Sequence, residues 1–362
     1  MSTLPKRIAR QLRQDIVSGR LPPGARLPNR GALCQRYDAS LVTVQAAVED
    51  LIKEGFVTVG ARMRGSFVAA RPPHLHHYKL LFPCDPSVRS EFWRVLRDEA
   101  AQMGEESDRE FSFFYGLDGH RDIESYRDLV EEVRSERVAG LIFASGALEF
   151  RGTPVLDQPG IPRVGIAAEY ELPGIPRLHV DYASFFAKAL DVLVAQGRRR
   201  LAVLFGATPT DDKSEVERQC RAAMAARGLE VNPLWQQFVD VRSPQSARRC
   251  VRLLLHGPAD DRPDGLILAD DNSIPAATRG LRETGLRTPH DLTVVALANF
   301  PVGIRAAVPV ARIGFDVPAM LNTLATWVDQ LRNGGKPPKF QSVPAIGEDE
   351  YRRRYNQRPE KR

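Results

Sequence analysis

Apolar residues recur at helical spacing at the start of the chain. Four of them, from Leu4 to Ile16, follow one another every four positions, and Gly19 stands just past the last turn. Because residues four apart share one face of a helix, this spacing predicts an amphipathic helix that stops before the glycine. A stiff proline-containing turn follows, and Asn29 is placed to cap a second, shorter helix that runs to about Tyr37.

A third helix and a basic hairpin come next. Ser40 can cap a helix whose apolar positions fall on one face, namely Val44, Ala47, Val48 and Leu51, while Leu41, Gln45, Glu49 and Lys53 face outward. Two short apolar runs, 56–59 and 66–68, then predict strands joined by a basic loop that carries Arg62 and Arg64. The order of helix, helix, helix and two-stranded wing predicts a winged helix-turn-helix domain over residues 1–71.

The pattern changes after residue 77 to short apolar runs that alternate with helical stretches. Strands are predicted at 78–82, 110–114, 140–143, 161–166, 200–205, 235–239, 265–268 and 292–297, and helices at 91–103, 123–135, 182–196, 214–227, 243–255 and 274–284. Such alternation is typical of a parallel sheet covered by helices. The repeat of the pattern from residue 182 predicts an α/β domain over 78–345 with two similar lobes and a cleft between them.

Charge separates these two regions. Residues 1–71 hold 12 lysines and arginines against 5 acidic residues, a net of +7, whereas the whole chain has a net charge of +6. The remainder is therefore close to neutral, at about −1. A positive excess confined to one small domain indicates a localised surface for nucleic acid.

The segments outside the two domains suggest no further chemistry. We expect residues 72–77 to form a solvated linker, with metal binding by His74, His76 and His77 as a less favoured alternative, and residues 346–362 to form a polar C-terminal tail. The four cysteines are scattered without a C-x-x-C pair, so neither a disulfide framework nor a zinc site is expected. The start lacks a signal-peptide stretch and no apolar run is long enough to span a membrane, so we expect a cytoplasmic protein.

No catalytic fingerprint accompanies the α/β pattern. There is no G-x-G-x-x-G, no G-x-x-x-x-G-K-[ST], no G-x-S-x-G and no H-E-x-x-H. Binding is therefore favoured over catalysis, and no cofactor is expected. A sugar-modifying α/β enzyme with an accessory head remains an alternative.

The N-terminal motifs resemble the GntR-type winged-helix regulators. The resemblance rests on Ser18-Gly-Arg-Leu-Pro-Pro-Gly-Ala-Arg-Leu-Pro28, Ser40, Thr43-Val44, Leu51, Glu54-Gly55 and Arg64-Gly-Ser-Phe-Val68. Three positions depart from the family, which usually has an arginine at Gly31 and at Leu41, and often at Gln45.

The resemblance implies a set of DNA contacts that lacks those three arginines. The residues that remain for it are Arg30, Arg36, Ser40, Thr43, Gln45, Arg62 and Arg64. Gln45 is the best candidate for a base edge, since an amide can pair bidentately with adenine, and the arginines would mainly contact phosphates. Leu41 is placed to touch a thymine methyl or nothing. The alternative is a degenerate domain whose polar residues are only solvated and which makes protein contacts.

The α/β region is similar to the effector-binding core of the LacI/GalR family. The similarity lies in Leu178-His-Val-Asp181, the segment from Ala195 to Gly206, Arg221-Ala-Ala-Met-Ala-Ala-Arg-Gly228, Asp264-Gly-Leu-Ile-Leu-Ala-Asp-Asp271 and the segment from Gly285 to Val295. That core resembles the type I periplasmic sugar-binding proteins, so the resemblance implies two lobes that close on a ligand and pairing into a homodimer.

The same resemblance implies where the ligand would bind. Phe92 and Trp93 stand where the family often presents an aromatic face, and Asp271 matches a polar position at the end of a strand. Their alternatives are a helix start packed on the sheet and a simple helix cap by Asp271 or Asn272. The other candidate ligand contacts are Ser145, Arg218 and Asn299. Ala298 replaces a frequent acidic residue, and the usual pocket arginine falls near Val216, so a ligand other than a simple sugar is an alternative.

Together these features predict a DNA-binding transcription regulator, with repression favoured. Its operator affinity would be controlled by a small ligand, with a sugar favoured, and a dimer would read a pseudo-palindrome. A ligand-independent DNA-binding protein is the main alternative. No membrane partner is expected.

Overall fold

The chain divides into two compact units, which are described separately. The computed structural model describes residues 3–60, 65–85, 90–117, 119, 122–167, 172–207, 213–240, 243–303 and 305–356. Unit 1 comprises Met1–Pro83, Ala101–Pro176 and Leu324–Lys339, and unit 2 comprises Cys84–Ala100, Arg177–Thr323 and Phe340–Arg362.

Unit 1 begins with the predicted winged helix-turn-helix. Its elements are α1 (Leu4–Val17), α2 (Arg30–Tyr37), α3 (Leu41–Lys53), β1 (Val57–Val59) and β2 (Ser66–Val68). The two strands pair antiparallel. Side-chain oxygens cap two of the helices, because Asn29 Oδ1 accepts from the Ala32 N–H at 2.8 Å and Ser40 Oγ accepts from the Thr43 N–H at 3.2 Å. Both caps are the ones that the sequence predicts.

The rest of unit 1 is a small α/β layer. It contains α4 (Pro73–His76), β3 (His77–Phe82), β4 (Glu110–Tyr115), α6 (Ile123–Arg134), β5 (Gly140–Phe143), α7 (Pro154–Asp157) and β6 (Arg163–Ile166). Four strands pair in parallel in the order β6-β5-β3-β4. Strand β5 is buried along its whole length, which explains its continuous apolar run, whereas β4 is mostly half-buried.

Unit 2 contains a six-stranded sheet and the parallel strands β7 and β13. Its elements are β7 (Arg177–Asp181), α8 (Tyr182–Ala195), β8 (Leu201–Ala207), α9 (Lys213–Ala225), β9 (Gln236–Asp240), α10 (Pro244–Leu254), β10 (Gly265–Leu268), α11 (Ile274–Glu283), β11 (Thr293–Phe300), β12 (Ala311–Asp316), β13 (Phe340–Pro344), β14 (Ile346–Gly347) and α13 (Glu348–Asn356). The sheet order is β14-β12-β11-β10-β8-β9, with β14 alone antiparallel, and β7 pairs with β13. Helices α5 (Glu91–Glu106) and α12 (Val317–Arg332) are each divided between the units. The predicted fold class is confirmed.

The segment predicted as a polar tail has a packed first part. Strand β14 pairs with β12, and the ring of Tyr351 on α13 stacks on Phe300 with centroids 4.8 Å apart. The Tyr355 hydroxyl donates to Asp316 Oδ1 at 2.7 Å. Aromatic residues spaced four apart on one helix face thus attach an otherwise charged helix to the sheet.

The expectation of a solvated linker is wrong. His74 is only 9% exposed, and its ring stacks on Phe56 of the winged domain with centroids 5.7 Å apart. Arg332 Nη1, at the end of α12, donates to the Leu75 carbonyl oxygen at 2.9 Å. Pro73 at the first position of α4 fixes a helical backbone there, so the segment is a packed helical turn.

Candidate functional site

The outward face of α3 carries the sequence-predicted recognition residues. Ser40, Leu41, Val42, Gln45 and Glu49 are exposed, and Thr43 is half-buried. The Ser40 and Thr43 hydroxyl oxygens lie 2.8 Å apart in a hydrogen bond. The opposite face, which includes Val44 and Leu51, is fully buried in the winged domain. Burial of that face fixes which side chains point away from the domain.

Arg30, Gln45 and Glu49 form a hydrogen-bonded chain on this surface. Arg30 Nε donates to Gln45 Oε1 at 2.9 Å, and Gln45 Nε2 donates to Glu49 Oε1 at 2.9 Å. A carboxamide oxygen has two acceptor sites and its nitrogen has two hydrogens. One acceptor site and one hydrogen of Gln45 therefore remain, which is the pair that bidentate contact with adenine requires. No pattern in the sequence predicted that Arg30 contacts α3.

Arg36 is held against the domain. Its Nη2 atom donates to Asp15 Oδ2 at 2.9 Å, and its guanidinium carbon lies 5.2 Å from the centroid of the Tyr37 ring. The Arg36 side chain is still 45% exposed, whereas Asp15 is nearly fully buried and also pairs with Arg20. Arg36 can thus present donors outward from a fixed position. The predicted wing residues Arg62 and Arg64 lie outside the described residues.

In unit 2, Asp271 and Asn299 form a buried polar pair. Asp271 follows strand β10, and its Oδ2 accepts a hydrogen bond from Nδ2 of Asn299 on β11. The two side chains belong to neighbouring parallel strands, so both lie at the carboxyl edge of the sheet. Burial raises the pKa of Asp271 to about 7, and the charges of Asp270 and Glu91 act in the same direction.

Asp270, and not Asp271, caps the helical turn that follows β10. Its Oδ2 accepts from the Ser273 N–H at 3.0 Å, and its Oδ1 accepts from Asn272 Nδ2 at 2.8 Å. Asp271 is therefore free of that structural task. Asp270 was not among the caps predicted from the sequence, although the Asp-Asp-Asn run places it directly after the buried strand.

The start of α5 is tied to the same region of unit 2. The Glu91 N–H donates to Asn272 Oδ1 at 2.9 Å, and the Trp93 N–H donates to Ser90 Oγ at 3.2 Å. Phe92 and Trp93 are half-buried. The backbone at Glu91, which directly precedes the predicted aromatic pair, is thus tied to Asn272, which directly follows Asp271. The buried carboxyl and carboxamide groups of the Asp271–Asn299 pair are hydrogen-bonding groups of the kind that bind ligand hydroxyls.

The two remaining predicted ligand residues are Ser145 and Arg218. Ser145 is half-buried in unit 1, just after β5. Arg218 on α9 is exposed and forms an ion pair with Glu215 on the same helix. Their roles stay predictions. Across the described ranges, no group of three or more histidine, cysteine or acidic side chains is arranged to hold a metal ion.

Comparison with known protein families identifies both domains. Residues 4–68 match the family model described as bacterial regulatory proteins, gntR family, and residues 190–347 match the periplasmic binding protein-like domain. Both predicted resemblances are confirmed. No helix in the described part of the chain is long and apolar enough to cross a membrane.

Several proteins similar to this chain are named as transcriptional regulators. The arabinose metabolism transcriptional repressor of Geobacillus stearothermophilus is 24% identical over 312 residues, which cover 82% of this chain and 83% of that protein. The HTH-type transcriptional regulator CelR of Thermobifida fusca is 28% identical over 214 residues, covering 57% of this chain and 60% of that protein. A LacI family transcriptional regulator from Lactobacillus casei with bound sucrose shares the fold, with a TM-score of 0.57 and 19% identity over 75% of this chain and 98% of that one.

Proposed function

We propose that this chain, in which a gntR-family domain precedes a periplasmic binding protein-like domain, is a transcription regulator whose operator affinity is set by a small ligand. The observation that carries the proposal is this pairing of domains in one chain. The relatives are named as transcriptional regulators, which supports regulation over catalysis. Repression is the favoured sign because one of these relatives is a repressor.

The winged domain binds double-stranded operator DNA. Gln45 contacts an adenine edge with the acceptor site and hydrogen that Arg30 and Glu49 leave unused. Arg30, Arg36, Ser40, Thr43, Arg62 and Arg64 set affinity and register on phosphates. The net charge of +7 over residues 1–71 supports this assignment.

The ligand is a sugar that binds the periplasmic binding protein-like domain. Asp271 and Asn299 bind ligand hydroxyls, and Phe92 or Trp93 packs on the flat face of the ring. The Lactobacillus casei neighbour has bound sucrose, and the Geobacillus relative is named for arabinose metabolism, which supports the sugar class. Ser145 and Arg218 are further candidate contacts.

Regulation requires two conformers that differ in DNA affinity. A homodimer presents two winged heads to a pseudo-palindrome, and the ligand acts by binding the low-affinity conformer more tightly. A shift from mostly bound to mostly released needs about 5.5 kcal/mol of differential ligand affinity. The pairing of subunits and the direction of the response both belong to the proposal.

The test is selection of genomic fragments by the full-length protein, followed by washing of the bound complex with single mono- and disaccharides. We expect one palindromic sequence to be enriched and one sugar to release it. The Asp271→Asn variant should enrich the same sequence and show a weaker release. Enrichment that no sugar disturbs would leave a DNA-binding protein without a sugar effector, and no enrichment would refute the regulator.

A further inference from the structure

The first turn of α3 exposes two adjacent aliphatic side chains. Leu41 is 61% exposed and Val42 is 79% exposed. Both belong to the outward face, where Leu41 is one helical turn before Gln45 and two turns before Glu49. Neither side chain contributes to the buried core of the winged domain. An apolar pair therefore occupies the end of the surface that also carries the polar chain of Arg30, Gln45 and Glu49.

This pair is too small for a stable protein interface. Such an interface buries about 800 Å² on each partner, far more than two aliphatic side chains provide. The surroundings are also unsuited to an apolar partner, since Arg30 is bonded to Gln45 on the same face and the domain has a net charge of +7. Charge complementarity favours DNA as the occupant.

The major groove of DNA offers one apolar group to such a pair. Thymine presents its C5-methyl group there, and aliphatic side chains contact it without a hydrogen bond. The other bases present only donors and acceptors at the same edge. An aliphatic first turn thus discriminates in favour of thymine.

We propose that Leu41 and Val42 are specificity-determining residues that read thymine methyl groups in each half-site, next to the adenine contacted by Gln45. The inference rests on the proposed function, because it presupposes that α3 enters the major groove. It adds the base composition of the operator, namely thymine at the positions that face the first turn of the helix. Contact of Leu41 and Val42 with the groove also removes their exposed apolar surface from water.

The test uses the full-length protein and duplexes selected from a random-sequence pool. Each thymine of the selected half-site is replaced singly by deoxyuridine, which lacks only the methyl group and keeps base pairing. Affinities are measured for the wild type, Leu41→Ala and Val42→Ala. Leu253→Ala is the matched control, because Leu253 is 77% exposed on α10, in unit 2.

We expect at least one deoxyuridine to weaken wild-type binding by about four-fold, which corresponds to one methyl group. The penalty should vanish in Leu41→Ala or Val42→Ala and persist in Leu253→Ala. Selection of a defined sequence with no such penalty, or with a penalty that both variants retain, would overturn the inference and leave the regulator intact. Failure to select any sequence would instead refute the proposed function. A change of oligomeric state in the variants, with the penalty retained, would assign the pair to subunit contact.

Discussion

His74 and Asp271 are buried titratable side chains, one in each compact unit, and burial moves their pKa values in opposite directions. His74 is 9% exposed and Asp271 is 8% exposed. Burial lowers the pKa of His74 to about 4 and raises the pKa of Asp271 to about 7. In both cases desolvation favours the neutral form, which is the base for histidine and the acid for aspartate. Equal burial therefore gives the two units opposite responses to pH.

The neighbours of the two groups differ in what they add. Arg332 and His76 lower the pKa of His74 further, and Nδ1 of His74 has no hydrogen-bond partner within the described residues. The charges of Asp270 and Glu91 disfavour the ionised form of Asp271 and raise its pKa further. The hydrogen bond from Asn299 favours the ionised carboxylate and lowers the pKa. The surroundings of His74 in the linker thus favour only its neutral form. At the candidate ligand site, Asn299 supplies a hydrogen-bond donor for the ionised form of Asp271.

The largest expected effect is a pH dependence of unit 2 that depends on Asp271. Because the folded pKa lies above the unfolded value, the folded state binds more protons between about pH 4 and about pH 7, and stability falls as pH rises through that window. Between pH 5 and pH 8 the wild type should lose about 3 kcal/mol. Asp271→Asn should remove most of this loss. Urea unfolding of both proteins at the two pH values measures it, and an unchanged pH dependence in the variant would contradict the assignment.

Removal of the Asn299 side chain should have the next largest effect. Asn299→Ala leaves the ionised Asp271 carboxylate buried without its donor, at a cost of about 2 kcal/mol at pH 8. The cost should be smaller at pH 5, where Asp271 is protonated. Asn299→Ala should therefore make the stability of unit 2 depend more steeply on pH, whereas Asp271→Asn should remove that dependence. Asn232→Ala is the control, because it removes only a backbone cap at Leu234 and its cost should be equal at both pH values. Equal costs for Asn299→Ala at pH 5 and pH 8 would contradict the pairing.

The expected effect at His74 is smaller and has the opposite sign. Its folded pKa lies below the unfolded value, so the unfolded state binds more protons between about pH 4 and pH 6.5, and stability falls as pH falls through that window. Between pH 7.5 and pH 5, unit 1 should lose roughly 1 to 2 kcal/mol, allowing for solvent screening. His74→Phe keeps the stacking on Phe56 and should abolish the loss in a urea titration. The exposed His256→Gln control should retain it.

The sequence predicted local structure more fully than contacts between distant residues. The caps by Asn29 and Ser40 and the paired strands of the wing depend on neighbouring residues, and all are present in the structure. The chain from β12 onward received no predicted elements, although Asp316 and Pro318 form a helix-start signal there. In the structure Asp316 Oδ1 accepts from the Ala319 N–H at 3.1 Å and caps α12. Both resemblances gave the fold class because their motifs are spread along each domain.

The contacts within the two candidate sites could not be predicted from the sequence, because they depend on how helices and strands pack together. Arg30 meets Gln45 across 15 residues and Asn299 meets Asp271 across 28, so each contact requires the packing of helices or strands that periodicity does not specify. The linker sequence is short and rich in histidine and proline, which predicts a solvated segment. Its burial comes from Phe56 and from Arg332, whose bond to Leu75 spans 257 residues.

The smallest expected effect tests whether charge or burial controls His74. Arg332→Met removes the cation that lowers the pKa of His74 and the donor to the Leu75 carbonyl oxygen, but it leaves the ring stacked on Phe56. Because burial is the larger cause, the pKa of His74 should rise only part of the way towards 6.5. A titration of the His74 side chain by NMR, in the wild type and in Arg332→Met, measures the change. A rise to the ordinary value would mean that Arg332 holds the whole linker in place, and that the buried histidine depends on a single ion rather than on its packing.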